Sequence, residues 1–266
     1  MTTLIIGGAG KTGRRVAQEL TSRGLPIRAV SRSTSPSFDW ADETTWERAI
    51  VGTTAAYVTY HPDLALPGAD DRIGAFARAA VDLGCRRLVL LSGRGEDGAL
   101  RAEQALAASG AEWTVVRSAF FTQNFTEGIW ADGIRHGSFV MLGGSAPEPF
   151  VDADDVASVA VAALTESGHG GAVHEVTGPQ LSTFREIVED IARIGGREIE
   201  YRELPAEGFV AELQQAGLTA EDAGGLSALF GEVLDGRNAR TTSTVHDVLG
   251  RPPRGSLEAL TTEYSR

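Results

Sequence analysis

Apolar and polar positions recur along this chain with two different periods, and the changes of period mark its elements. Leu4-Ile5-Ile6 is an unbroken apolar run of strand length, ended by Gly7-Gly8. Over residues 12–24 the apolar Val16, Ala17 and Leu20 fall at helical spacing, with Gly24 as the stop. Residues 27–30 read as a second strand. Residues 31–40 read as a Ser/Pro-rich loop with a short extended piece near Phe38. Trp46, Ala49 and Ile50 mark a short helix, and residues 55–59 another strand. Residues 70–83 place Ile73, Phe76, Ala77, Ala80 and Val81 on one helical face. Residues 87–91 form a nearly continuous apolar strand. An Ala-rich helix over 98–109 and a strand over 113–116 follow.

The second half has another texture. Residues 133–144 hold turns and a short strand at 139–142, and residues 151–155 lead into a helix ending near Thr165. Further strands are expected at 173–176 and 199–202, and helices at 183–194, 205–215 and 226–234. Strand and helix alternating at this spacing predict an α/β fold: a doubly wound parallel Rossmann sheet with helices on both faces. A single domain over 1–266 is expected. A small C-terminal substrate lobe, from about 130–150 and 178–240, would lie over the carboxyl edge of the sheet and close a ligand crevice.

Composition narrows the function. The chain has 266 residues, 42% hydrophobic and 23% charged, which is ordinary globular usage. A net charge of −12 with no dense Lys/Arg run argues against nucleic acid as partner and points to a small-molecule substrate. The single cysteine, Cys85, rules out an intrachain disulfide and a cysteine metal cage. No apolar run is long enough to span a bilayer, and no leader precedes the first strand, so a cytoplasmic protein is expected. A homodimer is compatible with this composition.

The segment Gly7-Gly8-Ala9-Gly10-Lys11-Thr12-Gly13 carries the strongest chemistry. Glycines at 7, 10 and 13 stand between a strand and a helix. Gly7 permits a tight turn, Gly10 lets backbone approach a pyrophosphate at the helix N-terminus, and Gly13 allows helix and strand to pack closely. Lys11 and Thr12 complete the loop. A Walker A reading fails, because Ile5 stands where that motif needs a glycine. The second strand ends in Val30-Ser31-Arg32-Ser33, without the carboxylate that holds the ribose hydroxyls of NAD. Arg32 can instead pair with a 2′-phosphate and Ser31 can hydrogen-bond it, so NADP(H) is expected over NAD(H). Asp39 and Trp40 are placed to flank the adenine.

With these residues in hand, the chain resembles the atypical short-chain dehydrogenase/reductases of the NmrA-like group nearly end to end. The likeness rests on the glycine loop, Ser31-Arg32, Leu88-Val89-Leu90-Leu91-Ser92 and Trp113-Thr114-Val115-Val116-Arg117. It continues through Phe120-Phe121-Thr122-Gln123-Asn124-Phe125, Phe150-Val151-Asp152 and Glu175-Val176-Thr177-Gly178-Pro179. That group includes NADPH quinone reductases, triphenylmethane reductases and ergot-alkaloid dehydrogenases, and also regulators that sense the dinucleotide without turnover. The resemblance implies that Thr59 lies along the cofactor, Ser92 near the nicotinamide, and Phe120 to Asn124 around nicotinamide and substrate.

Ordinary members of the superfamily use a Tyr with a Lys four residues on, the Lys lowering the phenol pKa. Here Lys11 is the only lysine, and no tyrosine occurs between Tyr60 and Tyr201. Either the protein does not catalyse, or its acceptor needs no strong general acid. Hydride transfer to an iminium, a quinone or a dye cation is of the second kind. Ser92, Gln123 and His61 are the candidates to polarise such an acceptor. Tyr60, Phe121, Asn124, Phe125 and Trp130 are candidates to line an aromatic pocket. The expected function is an NADPH-dependent reductase of a small electrophilic, aromatic or conjugated acceptor. The rival is a non-catalytic NAD(P) sensor acting through a partner protein. Asp152, Asp154 and Asp155 precede a helix and read as its cap and dipole partners, not as a metal cluster.

Overall fold

The structure, a computed structural model, describes residues 2–144 and 146–265. Six parallel strands make the main sheet: β1 (Thr2–Ile6), β2 (Ile27–Val30), β3 (Thr53–Val58), β4 (Arg87–Gly93), β5 (Glu112–Ser118) and β7 (Ala172–Val176). Their order is β2-β1-β3-β4-β5-β7, and every pairing is parallel. The order reverses beside β1, which opens the crevice of a doubly wound sheet at the end of that strand.

Side-chain alternation explains why both faces need cover. Leu4 and Ile6 of β1 enter one core with α2 (Trp46–Ile50), α3 (Ala69–Asp82) and α4 (Asp97–Ala107). Ile5 enters the opposite core with α1 (Lys11–Ser22) and α6 (Ala153–Thr165). The strands therefore read as continuous apolar runs.

A third, aromatic core lies beyond the sheet. It joins α5 (Ile129–Arg135), β6 (Ser138–Leu142), α7 (Phe184–Gly195), β8 (Glu200–Leu204), α8 (Ala206–Gln215) and α9 (Ala220–Val233). β6 and β8 form a separate parallel pair, Phe139 opposite Tyr201. Phe125, Phe139, Phe150 and Phe184 interlock there, with Phe150 edge-on to Phe184 at 4.9 Å.

The structure departs from the sequence pattern in four places. The extended piece near Phe38 is no strand of the sheet; Asp39 makes only an isolated bridge to Asp42, so the strand that ends before Thr59 is the third. α5 is a helix that the pattern does not predict, and its last residues enter the 133–144 stretch that reads as turns. α9 begins at Ala220, ahead of the 226–234 helix that the pattern predicts, and runs through Gly224 and Gly225 despite their low helix propensity. Two short helices, α10 (Thr244–Leu249) and α11 (Ser256–Tyr264), lie near the end; Tyr264 donates its hydroxyl to the Phe125 carbonyl and ties α11 to the aromatic core.

Candidate functional site

The site forms where β1, β3, β4 and β5 end. The turn after β1 is set by Gly7, whose φ of 73° favours glycine. Gly10 caps α1, its N–H bonding the Gly7 carbonyl at 2.8 Å. A Cβ on Gly13 would drive into that carbonyl, so only glycine lets α1 pack against the loop. The result is a backbone cradle at the positive end of a twelve-residue helix, without an acidic residue in its first turn. Thr12 is buried beneath it. Thr59 braces the loop from β3, donating its hydroxyl to the Ile6 carbonyl at 2.9 Å.

At the end of β2 the Ser31 and Ser33 hydroxyls lie 3.1 Å apart, in a loop that Thr34 ties to the Ser31 and Pro36 carbonyls. The exposed Arg32 guanidinium has no partner among the described residues. The cradle and this free cation fit the pyrophosphate and the 2′-phosphate of a phosphorylated dinucleotide. Trp40 sits deeper than an adenine-flanking residue needs. Its ring packs among Phe38, Trp46, Tyr60 and Phe76, and its indole N–H donates to the Thr59 carbonyl at 3.0 Å. Asp39, half-buried beside it, accepts from the Ala41 N–H.

A cavity of about 430 Å³ runs from Lys11 across the ends of β4 and β5 to α9. Tyr60, Ser92, Phe120, Phe121 and Asn124 line it, together with the unpredicted Phe230. Lys11 bonds Asn124 at 2.8 Å, and burial lowers its ammonium pKa against the opposing pull of Glu127. Trp130 lines a smaller adjoining hollow that shares Lys11, Asn124 and Phe230 with the main cavity.

Three predicted site residues are placed elsewhere. His61 is exposed and absent from the cavity wall. Gln123 turns toward α6, its carbonyl accepting from the Ala153 N–H at 2.8 Å, so it is spent on the backbone. Phe125 is wholly buried, packed against Trp130, Phe139 and Phe150, because the aromatic core claims it before the cavity can.

The cavity also holds charge that the sequence did not flag. Ser92 donates to Glu103 of α4 at 2.6 Å. Arg117 holds Glu103 with one nitrogen at 2.9 Å and reaches Glu175 with another, also at 2.9 Å. Arg94, at the end of β4, is 4% exposed. One of its nitrogens donates to the Asn238 carbonyl at 3.2 Å; the other, Nη2, makes no hydrogen bond among the described residues and lies 3.6 Å from Glu175. Glu148 is fully buried, and neither carboxylate oxygen has a hydrogen-bond partner among them. Burial pushes its pKa up to about 7, with Arg94 pulling the other way. Glu96, also in the cavity lining, is pushed up to about 8 by burial and by Asp63, Glu232 and Glu103. Burial also raises Asp63. Pattern reading passes over such groups: a lone Glu between Pro147 and Pro149 has no spacing to mark it.

The acidic run before α6 is structural. Asp152 accepts from the Asp154 N–H as the helix cap; Asp154 pairs with Arg15 and Arg254, and Asp155 with Arg251. No group of three or more metal-binding side chains occurs among the described residues, and none of their helices is long and apolar enough to cross a membrane.

A family model described as NAD(P)H-binding matches residues 7–167. The (4-alkanoyl-5-oxo-2,5-dihydrofuran-3-yl)methyl phosphate reductase of Streptomyces griseus is 34% identical, with 94% of each chain covered. Festuclavine synthase II of Penicillium roqueforti is 32% identical, over 96% of this chain and 95% of its own. Among solved structures, an NADPH-dependent quinone oxidoreductase of Escherichia coli complexed with NADPH matches at TM-score 0.80 and 21% identity, over 98% of this chain and 99% of that one. That likeness shows a common fold.

Proposed function

This chain is an oxidoreductase of the NAD(P)H-binding family, in the NmrA-like group of atypical short-chain dehydrogenase/reductases, and on that premise we propose that it uses NADPH to reduce a small conjugated or aromatic acceptor. One observation carries the reading: the cavity beside the glycine cradle is lined both by the rings of Phe120, Phe121 and Phe230 and by the polar Ser92, Arg94, Glu96 and Glu148. A planar acceptor fits such a slot, stacked on the rings with its polar atoms toward Arg94 and Ser92. The names of the relatives support the acceptor class. A 4-alkanoyl-5-oxo-2,5-dihydrofuran is a conjugated carbonyl compound, and the structural neighbour is a quinone oxidoreductase.

When bound, the reduced nicotinamide supplies the hydride. The protein supplies position: residues 7–13 would hold the pyrophosphate, and Arg32 with Ser31 the 2′-phosphate. Thr59, Ser92 and Phe120 would flank the nicotinamide, and Tyr60, Phe121 and Asn124 the acceptor. Good alignment of two bound reactants recovers up to about 7–11 kcal/mol of a barrier. The part formed by α5, β6 and α7 to α9 acts as the substrate lobe.

The test is titration with NADPH and NADH, followed by NADPH oxidation against quinones, iminium ions and triarylmethane dyes. Tighter NADPH binding with turnover of one acceptor class is expected. Tight binding without turnover on the whole panel would overturn the reductase reading in favour of a dinucleotide sensor. No binding of either nucleotide would overturn the cofactor assignment.

A further inference from the structure

The cavity wall contains an acid that nothing in the fold consumes. Glu148 sits in the segment Ala146-Pro147-Glu148-Pro149-Phe150, fixed by a two-way backbone bridge to Ser182, at 2.8 and 3.0 Å. The flanking prolines restrict the chain on either side. Its side chain is fully buried and lines the cavity, yet neither oxygen is hydrogen-bonded among the described residues. Arg94 faces the same cavity with Nη2 also without a hydrogen bond, and no ion pair joins the two. Arg94 keeps an ion pair to Glu175 at 3.6 Å, but leaving the Glu148 carboxyl without a hydrogen bond costs stability unless something polar comes to it.

We propose that Glu148 is the proton donor for reduction of a neutral conjugated carbonyl acceptor, with Arg94 holding the acceptor oxygen beside it. The proposal rests on the reductase reading above. In place of the missing Tyr/Lys pair it sets a buried carboxylic acid without a hydrogen-bond partner among the described residues. The charged groups facing Glu148 are Arg94, which favours its ionised form, and Asp235 beyond α9, which opposes it; Glu96 and Asp63 share the cavity. Burial outweighs Arg94, so part of the Glu148 population carries its proton near neutral pH. The balance is simple. A quinone gains a hydride, with its two electrons, from NADPH and a proton from Glu148, giving the hydroquinone. The carboxylate left behind takes its next proton from solvent. As charge builds on the acceptor oxygen, Arg94 stabilises it.

The experiment compares two acceptors in wild type and Glu148→Gln. Menadione needs a proton; malachite green, already a cation, needs only hydride. Glutamine matches the neutral acid in shape, so the fold and NADPH affinity should persist, checked by thermal melting and fluorescence titration. The expected result is a fall of about 100-fold or more in kcat/KM for menadione, within the range of general acid catalysis, and a change under about threefold for malachite green. Wild-type activity on menadione should decline as pH rises through about 7, and that limb should vanish in the variant. Equal losses on both acceptors, no loss on menadione, or the selective loss appearing in Glu96→Gln instead would overturn the proposal. Isotope-edited infrared spectra give a readout without turnover: a carboxylic-acid band that titrates near neutral pH in wild type and is absent from Glu148→Gln. If wild type reduces no acceptor, the reductase reading fails while the infrared band still reports on Glu148. A carboxylate ionised throughout would overturn the proposal by itself.

Discussion

The two ends of this cavity are built by opposite means. At the cradle, residues 7–13 lie consecutively in the chain, and backbone makes the binding surface. At the acceptor wall, Ser92 ends β4 and Arg94 and Glu96 follow it, Glu148 arrives from a proline-bounded loop, and Phe230 and Asn238 come from α9 and beyond it. The cradle depends on what its residues lack, side chains at Gly7 and Gly13. The wall depends on what its residues carry, ionisable groups held away from water. A cradle so local can serve every member of a family, whereas a wall assembled from four distant segments can change with each acceptor. The comparison separates the cofactor end, where substitutions act by steric exclusion, from the acceptor end, where they act through charge and protonation.

The largest effect should come from the cradle. Gly13→Val places side-chain atoms against the Gly7 carbonyl, where even a Cβ does not fit. NADPH and NADH affinity should both fall by more than about 100-fold, equivalent to about 2.7 kcal/mol. Overpacking should also lower the Tm. Fluorescence titration checks it, and retained affinity would show that the cradle is not where the pyrophosphate sits. Arg32→Ala comes next and should separate the two cofactors. Losing a charge-assisted contact, worth about 1.5–3 kcal/mol, weakens NADPH binding about 10- to 100-fold. NADH should be nearly unaffected. Equal losses would leave Arg32 as a general anion contact and remove the basis for NADP preference.

The same division decides what could be read from the sequence. The sheet, its helices and the cradle were legible because each rests on local periodicity or consecutive glycines, as in Leu4-Ile5-Ile6 with residues 7–13. Tyr60, Ser92, Phe120, Phe121 and Asn124 were legible as cavity residues through family likeness. Phe125, Gln123 and His61 were misplaced for a shared reason: residues one or two apart on a turn point in different directions, and residue type does not say which one faces the cavity. Thus Asn124 lines it while Phe125, the next residue, serves the aromatic core. Arg94 and Glu148 were invisible because their meaning lies in juxtaposition, 54 positions apart in the chain. A helix through Gly224-Gly225 likewise overrides local propensity, since its Leu229, Phe230 and Val233 are paid for by burial against the third core.

Charge at the wall should also be visible in stability. Glu96 is held up to about 8 from an ordinary 4.5. Between those values the folded state keeps a proton that the unfolded chain has released, so stability falls as pH rises across that window. Glu96→Gln removes the dependence. It should leave stability nearly unchanged near pH 5 and raise it near pH 8.5, by about 1–2 kcal/mol once partial exposure of the side chain is allowed for. At about 2–4 °C per kcal/mol for a domain of this class, differential scanning calorimetry resolves such a shift. An equal change at both pH values would mean that Glu96 is charged in both states.

The smallest effect should be at Ser92, one of the three residues that sequence reasoning named to polarise the acceptor, with Gln123 and His61. Its hydroxyl proton is directed at Glu103, 2.6 Å away, not into the cavity. Ser92→Ala should cost about 1 kcal/mol of stability, a typical net hydrogen bond, because Arg117 continues to hold the Glu103 carboxylate. The kcat on menadione should drop less than about tenfold, well short of the loss expected for Glu148→Gln. A loss of more than about 100-fold at unchanged KM would mean that the hydroxyl leaves Glu103 and donates to the acceptor during the reaction. The wall would then deliver its proton from β4 through the Ser92–Glu103 pair, and Glu148 would be left only to shape the polar side of the slot.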